Sequence, residues 1–275
     1  MGRGRVRALL ERIDSLYADT LKGGYDDDLP WKAIGALHRN GSHAVFVRAV
    51  AWCTSPHPIK RARAADILAQ LLRAGQSRRN LTSRPEWMFR AESYDLITRM
   101  LEKENDTYAL GSEITALGHL DNAAAIPLVA KFAKHTDENV RFAVAYALGS
   151  HSCHDDPRSV DVLRELMEDT DQDVRDWAIF GLGVQGNADS EEIRAAFLRH
   201  LDDPFLDARI EAAAALGKRH DARLAEPLIR MLKKHRALRG LVEAARNLLE
   251  LSEDPPDWFE TEYITALENR FTKTQ

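Results

Sequence analysis

The run Asp137-Glu-Asn-Val140-Arg141, followed by Ala147-Leu148-Gly149, returns twice downstream. Asp171-Gln-Asp-Val174-Arg175 leads to Gly181-Leu182-Gly183, and Asp203-Pro-Phe-Leu-Asp207-Ala208-Arg209 leads to Ala215-Leu216-Gly217. The arginines stand 34 residues apart, and in each copy the Leu-Gly pair begins seven residues after the arginine. A fixed interval of this size marks a chain built from stacked units, each too small to bury its apolar face alone.

Within a unit the apolar pattern is that of two helices. Between 123 and 149, Ile126, Leu128, Val129 and Phe132 fall on one helical face, and His135-Thr136-Asp137 makes a polar turn. Val140, Ala143, Val144, Ala147 and Leu148 then form a second stripe. Asp137 suits the N-cap of the second helix, and Gly149 suits a left-handed residue that ends it. The same grammar holds over 158–183, 191–217 and 223–250. Upstream it weakens: Leu110 stands where the arginine would be, seven before Leu117-Gly118, and Arg61 lies seven before Leu68.

About six units are readable, and the expected organisation follows. Residues 1–42 form an N-terminal helical cap with helices near 3–22 and 29–39, residues 43–250 the repeat array, and residues 251–275 a C-terminal capping helix after Asp254-Pro-Pro-Asp. The expected fold class is all-α, a right-handed α-solenoid of two-helix repeats.

The bulk numbers agree with a soluble chain. Of its 275 residues 44% are hydrophobic, enough for a packed core, and no apolar run approaches the ~18 residues of a membrane span. No apolar signal core follows the basic start Met1-Gly-Arg-Gly-Arg. Cys53 and Cys153, a hundred residues apart, belong to different layers, so reduced thiols and a cytoplasmic location are expected. The net charge of −5 hides a gradient: residues 1–100 hold 17 Lys+Arg against 10 Asp+Glu, a net +7, and the rest of the chain is −12. Such polarity suits different partners at the two ends.

The Asp-x-x-Val-Arg…Ala…Leu-Gly pattern resembles the HEAT repeat, especially its short bacterial form named after phycobilisome lyases. The resemblance covers roughly 43–250 and is densest over 123–217. It implies that Asp137 or Glu138 with Arg141, Asp171 or Asp173 with Arg175, and Asp203 or Asp207 with Arg209 form an internal polar ladder and serve the scaffold. Tetratricopeptide repeats share the period, but their Trp, Gly-Tyr and Ala-Phe signature is missing.

HEAT-like folds include enzymes and non-enzymes, so each chemistry needs its own residues. HEAT-like iron hydroxylases carry several His-Glu pairs; no His-Glu dipeptide occurs here. The turn His151-Ser-Cys153-His154-Asp155-Asp156 collects metal-ligating types, but no matching second pair exists, and it reads as a polar turn with Asp155 capping the next helix. HEAT-like DNA glycosylases line a basic groove with Trp and one Asp. Lys60, Arg63, Arg78, Arg79 and Arg84, with Trp87 and Phe89 interleaved, would suit a nucleic-acid patch. No tetrapyrrole site is singled out. No catalytic residue, metal site or cofactor is expected.

The remaining surface points to a protein partner. In the second helix of a repeat, offsets +3, +4, +7 and +8 from the valine face the stack, and +2 and +6 face the concave side. Those two positions hold Phe142 and Tyr146 in one repeat and Asp176 and Phe180 in the next, with Trp177 at the border where its neighbours have Ala143 and Glu211. Aromatics so placed are favoured anchors, and Asp176 favours a basic partner. The expectation is a non-catalytic scaffold that binds a protein or peptide on its concave face, with nucleic-acid binding or base repair as the alternative.

Overall fold

A computed structural model describes residues 3–24, 27–72, 88–150, 153–235, 238–252 and 258–272. Among these residues all regular elements are helical, and the fold is the α-solenoid of two-helix repeats expected from the period. The chain divides into two compact units, Met1–Ala147 and Leu148–Gln275.

In the first unit, α1 (Arg3–Asp19) packs on α2 (Asp28–Arg39), and α3 (His43–Trp52) pairs with α4 (Pro58–Leu68). Next come α5 (Arg90–Leu101) with α6 (Thr107–Leu120), then the short α7 (Ile126–Val129) before α8 (Glu138–Gly149), near whose end the division falls. The second unit holds the pairs α9 (Pro157–Leu166) with α10 (Gln172–Ile179), α11 (Glu191–His200) with α12 (Leu206–Lys218), and α13 (Ala225–Lys234) with α14 (Arg239–Leu248). It closes on α15 (Glu260–Leu267). The second helices stack on one another, α4 on α6 in the first unit, and α10 on α12 on α14 in the second.

Short polar residues start these helices by meeting unpaired backbone donors. Asp106 accepts from Ala109 N at 3.0 Å, Asp171 from Asp173 N and Val174 N at 3.0 and 3.1 Å, and Asp156 from Arg158 N at 3.0 Å. Asp156, not the expected Asp155, caps α9. Asp155 instead accepts from Asn187 N and Nδ2 at 2.6 and 3.0 Å and ties two turns of the second unit together.

The Leu-Gly glycines do something other than expected. None of them is left-handed; among the described residues the only positive-φ glycine is Gly23. Beyond Gly118 and Gly217 it is instead Asp121 and His220, each three positions on, that are left-handed, at φ 51°. The glycines lie where second helices of neighbouring repeats touch. A methyl group on Gly118 would sit 2.7 Å from Ala147 Cα, and one on Gly217 would sit 2.6 Å from Ala244 O. Within the second unit a methyl on Gly149 would sit 2.8 Å from Gly181 Cα. These glycines permit backbone-to-backbone packing, and the small neighbours Ala143, Ala147, Ala212, Ala213 and Ala215 are buried around them. Around Gly181-Leu182-Gly183 the chain widens into a π-helical turn, Phe180–Gln185, that extends α10.

The polar ladder exists with a different register from the one the resemblance implied. Arg175 does not pair with Asp171 or Asp173. Its Nε and Nη2 each reach Asp203 of the following repeat at 2.9 Å, and Nη1 donates to the carbonyls of Asp169 and Thr170. In the first unit Arg61 does the same, to Glu104 at 2.6 and 2.8 Å and to the Ser55 carbonyl at 2.8 Å. Glu104 stands six before Leu110, as Asp203 stands six before Arg209, so both acids hold the same repeat position. Arg141 and Arg209 likewise donate to the carbonyls six and five residues before them. One guanidinium thus ties its own turn and, in these two pairs, the next repeat. Burial disfavours the charged form of Asp203, but Arg175 and the Phe205 N–H outweigh it and hold the carboxyl at about 2. Glu113 on α6 is fully buried; burial, then the charge of Glu104, pushes its carboxyl up to about 9, so it is neutral inside the fold.

Two predictions follow from this packing. Gly→Ala in a helix interior ordinarily stabilises by about 0.5–1 kcal/mol. Gly111→Ala, which meets nothing within 4 Å, should show that gain, whereas Gly217→Ala should lose about 1–3 kcal/mol in urea denaturation. Equal signs for the two would refute the packing role. Second, the Arg175 and Asp203 side chains are only 12% and 3% exposed, so Arg175→Ala, which leaves a buried carboxylate uncompensated, should cost about 3 kcal/mol. Because Asp203 titrates below its unfolded value, the pair's contribution is present near neutrality and is lost only as pH falls toward about 2.

Candidate partner-binding surface

The rings singled out in the sequence lie in both units. In the first, Phe142 and Tyr146 on α8 are half-buried. Tyr146 meets His119 edge to face at 5.5 Å, with its hydroxyl 3.4 Å from Nε2. In the second, Asp176 and Trp177 lie on α10 and Phe180 opens the π-helical turn; all three are half-buried. Trp177 and Phe180 meet edge to face at 5.5 Å and 77°. The helical period explains their partial exposure. Val174, Ala178, Gly181 and Leu182 turn into the core, which leaves 176, 177 and 180 on the other side of the helix.

Carboxylates dominate the electrostatics around this pair, with Arg175 on Asp203 and Arg246 3.8 Å from Glu243 as neighbouring cations. One oxygen of Asp176 is buried with no hydrogen-bond partner among the described residues. Burial, then the charges of Asp207, Asp173 and Asp203, pushes its carboxyl up to about 6. Glu211 on α12, 34 residues beyond Trp177, is pushed up to about 7 by burial and then by Asp176, Asp207 and Glu243. The stack brings together four acids from three successive second helices: Asp176, Asp207, Glu211 and Glu243. Sequence reasoning met Glu211 only as the residue that interrupts the aromatic border. The 34-residue offset was the signal for its nearness to Asp176, but its burial was not readable.

The basic set divides differently. Arg63 is not at the surface: it is 1% exposed, donates to Thr20 O at 3.0 Å and to Asp66 Oδ2 at 3.0 Å, and packs over Trp31 and Tyr108. It lies on the inward face of α4 among the buried Ala62, Ala64, Ala65 and Ile67, so it cannot meet a phosphate. Lys60 is half-buried with its ammonium 5.7 Å from the centre of the Trp52 ring. Arg61 belongs to the ladder, and Arg90 Nε donates to Leu120 O at 2.7 Å, closing the end of α6. Arg78, Arg79, Arg84 and Trp87 lie outside the described residues, as does His151. Phe89 stacks on Phe46 at 4.3 Å. Cys153 is buried, and His154 Nε2 lies 3.5 Å from Asp155 Oδ2. Among the described residues no three His, Cys, Asp or Glu side chains are grouped to hold a metal ion.

Comparison with known proteins agrees with this architecture. The family described as HEAT repeats matches residues 94–183 and 165–248. Protein YibA of Escherichia coli is 28% identical over 250 residues, which cover 87% of this chain and 83% of YibA. The crystal structure of YibA superposes with a TM-score of 0.67 at 21% identity, over 98% of this chain and 97% of the other. The complex of CpcE and CpcF of phycocyanin lyase from Nostoc sp. gives a TM-score of 0.46 at 16% identity, over 94% and 93% of the two chains. With more than half of its length matched, and with glycine-mediated packing of successive second helices, the chain belongs to the HEAT-repeat family.

Proposed function

We propose that the protein is a non-catalytic, cytoplasmic interaction scaffold that binds a protein or peptide on the face presented by its second helices. The contact is centred in the second unit on Asp176, Trp177 and Phe180, with Phe142 and Tyr146 offering a further contact on α8. The partner segment is basic and carries an apolar residue. The observation behind this reading is the half-buried Trp177–Phe180 pair beside carboxyls whose proton affinity is raised by burial and then by mutual repulsion. A Lys or Arg brought among Asp176, Asp207, Glu211 and Glu243 relieves that repulsion, and the rings supply apolar area at small entropic cost. Repeat stacks present extended surfaces suited to such segments. The absence, among the described residues, of a helix long and apolar enough to cross a membrane is compatible with this role.

The nucleic-acid alternative has less behind it. Of the basic residues it would use, Arg63 is enclosed and Lys60 lies over Trp52. Retention of labelled DNA or RNA that falls with salt, and disappears in Arg78→Ala/Arg79→Ala, would favour it over the scaffold.

Two measurements test the proposal. Partners captured from lysate by the full chain, then reduced to synthetic peptides, should contain a basic segment. Trp177→Ala/Phe180→Ala should weaken its binding at least about tenfold, and a peptide that binds the double variant equally well defeats the assignment. Binding should also tighten as pH rises from about 5 to about 8, because a cationic ligand lowers the raised carboxyls and expels their protons. The free protein should show the opposite trend in stability. Asp176 and Glu211 bind protons more tightly folded than unfolded, so their contribution fades as pH climbs from about 4 through about 7. Glu211→Gln should therefore stabilise the protein by about 1–2 kcal/mol at pH near 8 and change little near pH 4 in thermal melts.

A further inference from the structure

We infer that copies of this chain associate head to tail, with an apolar groove between α1 and α3 of one copy receiving the Phe259 corner of a second copy. The groove is an open cavity of about 530 Å³ whose apolar walls include Leu10, Ile13, Val47, Ala51 and Trp52. The two helices are tied through the second half of α1, where Asp14 pairs with Arg48. There Tyr17 donates its hydroxyl to Val45 O at 2.7 Å and meets Trp52 edge to face at 4.8 Å. Toward the start of α1 the helices offer their apolar side chains to solvent: Leu10 is 46% exposed and Val47 50%, with Val6 and Leu9 beside them in sequence and similarly open. In a repeat stack this kind of flank is what one helix pair hands to the next.

Charge narrows the choice of occupant. Residues 3–12 hold four arginines and one glutamate, and α3 adds Arg48 with no acid. Glu11 pairs with Arg7 at 2.9 Å and Asp14 with Arg48 at 2.5 Å, so both nearby carboxylates are matched, and Arg12 on α1 keeps the local balance positive. The fitting occupant has an apolar tip within an acidic collar, and this chain carries one. Phe259 is 71% exposed, the most open large apolar side chain among the described residues. Trp258 behind it packs edge to face on Tyr263 at 5.1 Å, which fixes the corner. Glu260 and Glu262 lie beside Phe259 in sequence and make the collar; farther along, Glu268 pairs with Lys233 and Arg270 with Glu250, each at 2.7 Å. Insertion of one ring buries roughly 150–250 Å², a small contact that forms at high protein concentration and weakens with salt. A groove on one copy and a corner on the next make a heterologous contact, which builds open chains unless it closes into a ring.

Sedimentation equilibrium of the full chain tests this. The mean mass should rise above the 31.0 kDa monomer between about 5 and about 500 µM, and the rise should shrink in about 0.5 M NaCl. Val47→Asp, Leu10→Asp and Phe259→Ser each change an exposed side chain; far-ultraviolet circular dichroism checks that each variant is folded. Each alone should remain monomeric. A mixture of Val47→Asp, whose corner is intact, with Phe259→Ser, whose groove is intact, should give a one-to-one dimer and stop there. Three results overturn the inference: a wild-type chain monomeric throughout, a Phe259→Ser variant that still associates through paired grooves, or a mixture that gains no dimer. Sedimentation of a monomeric wild-type chain with vesicles of anionic phospholipid, abolished by Leu10→Asp, would assign the groove to a membrane surface instead.

Discussion

Successive second helices approach until their backbones touch, and the rest of the molecule is arranged around that contact. A side chain as small as a methyl does not fit at Gly118 or Gly217 without displacing Ala147 or Ala244. Contact this close is strong in dispersion because many atom pairs sit near their optimum separation. It also leaves little room for apolar bulk at the centre of the stack. Larger core residues fill in around it from both helices of a repeat: Leu163, Phe197 and Leu228 from first helices, Ile114, Leu216 and Leu248 from second helices. A repeat here therefore combines small residues where its second helix meets the next with larger buried residues elsewhere on both helices.

The second constraint is electrostatic. Turns between helices expose carbonyl groups, and a stacked array places these turns above one another. In four repeats an arginine near the start of the second helix (Arg61, Arg141, Arg175 or Arg209) meets the carbonyls of its own turn with one nitrogen. In Arg61 and Arg175 the other two reach the acid of the next turn. The planar guanidinium with five donors can make both contacts at once; a lysine could make only part of them. Apolar packing alone would tolerate sliding of one layer on another, whereas this bidentate pair has one satisfied geometry.

Residues left over from these two constraints carry what the protein offers to others. Where the ladder satisfies its carboxylates, their proton affinity falls, as at Asp203 and Glu104. Where acids are buried beside one another it rises, first through burial and then through the neighbouring charges, as at Asp176 and Glu211. The same residue types serve opposite ends because the stack decides which of them meet an arginine. The apolar surface divides in a similar way. Rings on α10 are half-covered by the array, while the flank of α1 and α3 and the tip at Phe259 are not.

The 34-residue period and the helical spacing of apolar residues determined the fold class, the paired helices and the positions that face inward, because those depend on local periodicity and on the need of each repeat to bury one face. Residues 142, 146, 176, 177 and 180 were legible for the same reason: they occupy offsets that the core leaves unused. Only the tertiary structure decided the partners. An arginine's acid lies 28 or 43 residues away, and nothing local distinguishes it from the nearer Asp171 or Asp173. Leu-Gly looked like a helix ending, because a glycine that relaxes a turn and one that admits a neighbouring backbone read alike in sequence. Arg63 looked available because composition counts charges and does not say which of them a fold encloses. Periodicity fixes which way a side chain points, while distance, burial and the field of neighbouring charges exist only once separate repeats have been laid against each other.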